Sequence, residues 1–123
     1  MSKPIEITFK FFDKEYRARF WKSEYLNNGS LYIGVVHWDE ECNSWMPWGD
    51  LTVNLGTSLD ENEAFLDVNN CAPEIIKNLM DKGYIKDTGI AKPSGWCTYP
   101  LVEFSEEFLN GMYDENDEGD EQQ

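Results

Sequence analysis

Residues 5–12 alternate Ile5, Ile7, Phe9 and Phe11 against Glu6, Thr8 and Lys10, the period of two that marks a half-buried strand. Residues 15–21 alternate again, with Tyr16, Ala18 and Phe20 on one side. The two runs predict an N-terminal hairpin turning at Asp13-Lys14, with Lys10, Arg17 and Arg19 toward solvent. Asn27, Asn28 and Gly29 supply turn chemistry, because Asn and Gly tolerate positive φ, and they lead into a third strand over 31–38. Residues 39–50, with Asn43-Ser44, Pro47 and Gly49, read as a turn-rich connection. The β-branched stretch 51–55 and the run 64–68 predict two further strands.

The period then changes. Ile75, Ile76, Leu79 and Met80 recur at helical spacing, Asn70 can cap, Pro73 suits the first turn, and Gly83 suits the stop. The pattern predicts a helix over 72–82. Residues 89–96, with Gly89, Pro93 and Gly95, read as a loop, and 97–104 as a last strand, placed at an edge because Pro100 cannot donate to a ladder. Ser105-Glu106-Glu107 opens a short helix with acids in its first turn, where the helix dipole favours them. The predicted fold class is α+β, a mainly antiparallel β-sheet with one packed α-helix and a short C-terminal helix, in a single domain over 1–112 followed by an acidic tail, 113–123, that cannot bury apolar area.

Composition bounds what such a domain can do. The chain has 123 residues, 41% hydrophobic and 15% aromatic, enough for one core. No apolar run approaches the roughly 20 residues of a membrane helix, and the start carries no secretory pattern, so a cytoplasmic location is expected. Net charge is −14, which repels nucleic acid directly. The charge is uneven: residues 1–22 hold six bases and three acids, whereas residues 23–76 hold ten acids and no Lys or Arg. A folded stretch so depleted of cations is expected to show one negative relief to a basic protein surface, such as that of a nucleic-acid-binding protein, with carboxylates imitating a row of phosphates. Within it, Trp38, Asp39, Glu40, Glu41, Trp45, Trp48 and Asp50 are the candidate partner-binding residues, because exposed tryptophans beside acids suit an interface. The plainer reading has Trp45 and Trp48 folded back onto the sheet.

Catalytic chemistry finds no pattern. His37 with Cys42, Cys71 and Cys97 matches no compact zinc module, and phosphate-binding glycine loops are absent. No cofactor, metal or catalytic residue is expected. An alternative to the interaction protein is a small-molecule module with a pocket near Gly89–Tyr99, lined by Ser94, Trp96 and Tyr99. The plainer reading there makes Trp96 a plug on the sheet.

The stretches 51–55, 65–70, 82–85 and above all Ser94-Gly95-Trp96-Cys97-Thr98-Tyr99-Pro100-Leu101 resemble an uncharacterised bacterial domain-of-unknown-function family of the DUF4313 kind, over roughly residues 31–109. The resemblance implies a setting on chromosomes and mobile elements of gut bacteria, and with it an anti-defence role, anti-restriction or anti-CRISPR. It implies no catalytic residue.

Overall fold

In a computed structural model of the chain, residues 4–25, 29–56 and 59–113 are described. The expected turn residues Asn27 and Asn28 and the tail 114–123 lie outside them. The elements are β1 (Glu6–Phe11), β2 (Lys14–Glu24), β3 (Leu31–Asp39), β4 (Ser44–Asp50), β5 (Thr52–Val53), β6 (Glu63–Leu66), α1 (Pro73–Asp81), β7 (Ile85–Ser94), β8 (Cys97–Phe104) and α2 (Glu106–Asn110). They form two antiparallel four-stranded sheets, β1-β2-β3-β4 and β5-β6-β8-β7, and the fold is α+β as its periodicities require.

The first sheet buries the alternating apolar face of its strands. Ile7, Phe9, Ala18, Phe20, Ile33 and Val35 join Ile75 and Leu79 of α1, Leu66 and Val102 of the second sheet, and Phe108 of α2 in one core. Sheet one passes into sheet two at Leu51, whose N–H donates to Ile33 O at 2.9 Å and whose carbonyl accepts from Asp67 N at 2.9 Å.

Several local expectations are corrected. Residues 44–50 form a strand despite Pro47, because β4 is an edge of its sheet and a missing N–H costs nothing on the open side. Val36 pairs with Pro47 and Val35 with Gly49, so Trp48 is the extra residue of a β-bulge. Residues 89–94 are also strand rather than loop: β7 and β8 form a hairpin whose last rungs run from Ala91↔Pro100 to Ser94↔Cys97. β8 lies inside its sheet, not at an edge; the last rung with β6 is Phe65↔Leu101, so Pro100 falls just beyond that partner. The strands expected over 51–55 and 64–68 shrink to Thr52–Val53 and Glu63–Leu66, and the N-terminal turn is Phe12-Asp13, with φ of 51° and 66°.

Helix α1 starts at Pro73, with Ala72 as its cap and no side-chain cap bond. Asn70 is drawn away, its amide donating to the carboxylate of buried Asp67 at 3.1 Å, since a buried carboxylate needs donors. At the other end Gly83, φ 77°, closes the helix as expected: Gly83 N donates to Met80 O and Tyr84 N to Leu79 O, both at 3.0 Å, the paired bonds of a Schellman stop. Met80 is exposed and leaves the predicted apolar face. In α2, Ser105 caps as its position predicts, Oγ accepting from Phe108 N at 3.1 Å. Ser105→Ala is expected to lower unfolding free energy by about 1 kcal/mol, measured by urea denaturation.

The fold extends one residue past the expected boundary. Tyr113 is buried, its N–H donating to Phe20 O at 2.6 Å, and Gly111 O accepts from Ile5 N at 2.8 Å. The segment after α2 is thereby laid against sheet one.

Candidate functional site

Sheet one has an inner face toward the core and an outer face whose composition the register dictates. Glu6 opposes Arg19, and Thr8 opposes Arg17; beyond β2, Arg19 opposes Val36, and Trp38 opposes Trp45. Both arginines are thus set against aromatics, Arg19 buried and Arg17 still exposed. Arg17 donates to both Glu6 carboxylate oxygens, at 2.7 and 3.0 Å, and Arg19 to Glu6 Oε1 at 3.0 Å. The Arg19 guanidinium lies 4.4 Å from the Trp45 ring centre, and that of Arg17 5.1 Å from Trp45 and 5.6 Å from Trp38. Such stacking is favoured by the ring quadrupole. At 8% exposure Arg19 is buried, so the solvent placement expected for it is corrected: the ion pair with Glu6 and the rings of Trp45 and Tyr113 absorb its charge. The hydrogen bond from Arg17 is the largest influence that holds the Glu6 carboxyl below its ordinary range, against the opposing effect of burial.

The expected partner-binding residues separate. Trp38 and Trp45 pack edge to face on the outer side, centroids 5.4 Å apart. Trp48, the bulge residue, turns inward and packs against Phe9, Phe11, Tyr16 and His37. Asp50 lies at the far end of β4, accepting from the Tyr32 hydroxyl. Asp39, Glu40 and Glu41 form the β3–β4 tip, where Asp39 Oδ1 accepts from the N–H groups of Glu41 at 2.9 Å and Cys42 at 3.2 Å; the bond from Cys42 does most to lower the Asp39 pKa. The other acids of 23–76 go elsewhere: Glu24 to the end of β2, Asp60 and Glu61 to the turn before β6, Glu63 to the start of β6, Asp67 to the interior, and Glu74 to α1. The expected single negative relief is therefore broken up by topology, because successive strand ends lie at opposite ends of a sheet.

One acidic cluster does form, and two of its five acids come from the hairpin expected to be basic. Antiparallel pairing brings the β1–β2 turn beside the β3–β4 turn, and a small cleft there is lined by Glu15, Asp39, Glu40 and Glu41 together with Lys14 and Tyr16. Asp13 belongs to the same end. At its tip Phe12 is 88% exposed with positive φ, an uncommon state for a bulky residue. Phe11-Phe12 breaking the alternation was the available signal: when Phe11 is inward, Phe12 has no core position.

A second feature occupies the outer face nearer Asp50. Trp21, Tyr32, Trp45, Pro47, Asp50 and Tyr113 line an open groove of about 960 Å³. Beneath the Trp21 and Tyr32 rings lies Gly34, where a Cβ would overlap the Trp21 indole and the Tyr32 hydroxyl, so only glycine leaves room for those groups across the strand.

The residues of the alternative pocket form no enclosure. Ser94 is exposed, Tyr99 half-buried, and Trp96, at 104% exposure, stands at the hairpin tip; it neither plugs the sheet nor lines a cavity. The thiols lie apart, Cys42 at the acidic tip, Cys71 buried and Cys97 beside Trp96. Burial pushes the Cys71 thiol up to about 12. Among the described residues no three His, Cys, Asp or Glu side chains converge on a metal position, and no helix is long and apolar enough to cross a membrane.

Searches of curated proteins and of solved structures return no match. A family model does match, over residues 22–121. It leaves out the β1–β2 turn and most of that hairpin, as the resemblance implied, but takes in most of the acidic tail, which the resemblance left outside. The chain belongs to the family described as a domain of unknown function, DUF4313.

Proposed function

We propose that this chain is a non-enzymatic binding protein that docks a basic surface of another protein through the acidic end of sheet one. The observation that carries the reading is that the β1–β2 and β3–β4 turns lie at one end of sheet one, which gathers Asp13, Glu15, Asp39, Glu40 and Glu41 at the end where Phe12 is exposed, with Lys14 and Arg17 the bases of the cleft there. An exposed apolar side chain at the same end as a group of acids suits a binding spot, with the acids steering and the apolar group holding. The net charge of −14 speeds the approach of a cationic partner. A protein that binds nucleic acid offers such a surface, and occupying it is the step an anti-defence inhibitor would perform. The reading rests on a compact patch, not on a phosphate-like row.

Immobilised protein is expected to capture its partner from host extract at low salt and release it near 0.5 M, where the Debye length falls to roughly 4 Å. Joint reversal of Asp39, Glu40 and Glu41 to Lys is expected to abolish capture, and Phe12→Ala to weaken it about tenfold or more. Capture indifferent to salt and to the reversal would reject the proposal.

A further inference from the structure

The β7–β8 hairpin runs on past its sheet and ends in a side chain that packs on nothing among the described residues. Beyond the rung Phe65↔Leu101, β8 pairs with β7 alone, and no residue from Lys86 to Pro100 is buried. The arm so formed is nevertheless braced. At its root Thr88 Oγ1 donates to Leu101 O at 2.9 Å and Gly89 N to Asp87 Oδ1 at 2.8 Å; midway along, Lys92 Nζ donates to Leu55 O at 3.3 Å. Its last rung is Ser94↔Cys97, so Gly95 and Trp96 alone make the turn, with positive φ at Gly95 and not at Trp96. That is the type II′ pattern, whose twist matches that of the flanking strands. Trp96, fully exposed, is therefore held at the end of a paired ladder rather than on a slack loop.

Charge and hydrogen bonding narrow what the tip can meet. In a chain 28% charged, Lys92 is the one charged residue between Asp87 and Glu103, and its ammonium is bonded to Leu55 O. No other cation stands near the tip to hold a lipid phosphate, and an anionic bilayer surface repels a chain of net charge −14. A second copy carries the same −14 and is repelled likewise. Pro93 and Pro100 have no N–H, which discourages strand addition along the arm. What the arm offers is side-chain contact, the indole at its tip with Ile90 exposed on its length. A preorganised indole loses little entropy on seating and buries roughly 150–250 Å². Flanked by uncharged residues, it suits an uncharged receptor, since an unpaired charge buried against it would be costly.

We infer that the β7–β8 arm is a knob that seats Trp96 in an uncharged, apolar pocket of a different protein, with a carbonyl there accepting from the indole N–H. The contact goes beyond the acidic end of sheet one and uses none of its residues. The arm lies within residues 22–121, which the family model matches, whereas Phe12 lies before them, so the two contacts are separable parts of the chain. Salt separates them too: screening releases a basic surface held by carboxylates and leaves an apolar contact standing.

The full chain, with benzoylphenylalanine in place of exposed Ser94, is irradiated in host extract at about 0.5 M salt, where the acidic end has released its own partner. The expected result is a discrete adduct with a different protein whose cross-link maps to an apolar pocket. That adduct is expected to vanish when Trp96→Ala is added to the chain, and when a cyclic peptide of residues 90–100 is present in excess. Against the purified partner, Trp96→Ala is expected to bind at least about 30-fold more weakly than the wild type, whereas joint reversal of Asp39, Glu40 and Glu41 to Lys leaves the affinity within about threefold. Circular dichroism of Trp96→Ala is expected to match that of the wild type, because the side chain lies wholly in solvent, so a loss reports the contact and not the fold. No adduct, an adduct with lipid or with a second copy alone, or a Trp96→Ala chain that binds the purified partner like the wild type would each overturn the inference.

Discussion

Truncating Phe108 to alanine is expected to lower unfolding free energy by about 3–5 kcal/mol, more than any surface change proposed above. Phe108 is fully buried and touches three rings from three elements: Phe20 of β2 at 5.2 Å, Phe104 of β8 at 5.6 Å and Tyr84 before β7 at 5.6 Å between centroids. It belongs to a helix of five residues, too short to persist alone, so the ring is what docks α2, and α2 in turn leads into the segment that places Tyr113 on sheet one. The cavity would therefore loosen both sheets at once. Urea denaturation followed by Trp fluorescence measures the loss, and a change under about 1 kcal/mol would mean that the neighbouring rings collapse into the space. Total stabilities of about 5–15 kcal/mol make partial unfolding at 37 °C an expected companion result.

Glu6→Gln is expected to cost about 2–3 kcal/mol, well above what a surface ion pair contributes. The difference lies in which arginine is stranded. The Arg17 side chain is 46% exposed and regains water, so its pair with Glu6 counts for little. Arg19, with 10% of its side chain exposed, keeps its stacking on Trp45 but loses its carboxylate in a place water scarcely reaches. The same pair sets a pH dependence. The folded-state pKa of Glu6 lies below its ordinary value of 4.5, so its stabilising contribution is fully present above that value and is lost as pH falls through the lower folded value. Wild type and Glu6→Gln are therefore expected to differ most near neutrality and to converge under acid. Equal acid sensitivity in both would remove Glu6 from the account.

Much of the fold was legible because burial imposes its period directly. The alternations at 5–11 and 16–20, the spacing of Ile75 and Leu79, Gly83 and Ser105 all do in the structure what their residue types dictate. The losses have a common cause, which is that edge positions relax local rules. Pro47 reads as a breaker, yet on an edge it is tolerated; Gly89 and Pro93 read as a loop, yet two strands that pair mainly with each other can carry both. Charge was the least legible feature. The absence of Lys and Arg from 23–76 says nothing about direction, and seven of the ten acids there lie away from the Asp39–Glu41 tip. Conversely, Arg17 and Arg19 count as cations in the sequence and contribute little positive surface, because Glu6 and three tryptophan contacts consume their charge. Phe12 was missed since its exposure follows from a turn one residue earlier than the chemistry of Asp13-Lys14 suggested.

The bulge at Trp48 reaches beyond the ring it buries. Because Trp48 is an uncounted residue between two rungs, Pro47 and Asp50, an odd number of positions apart, sit on the same face. Loss of the single codon for Trp48 would leave Asp50 opposite Gly34 on the same face and remove the ring that packs against Phe9, Phe11, Tyr16 and His37.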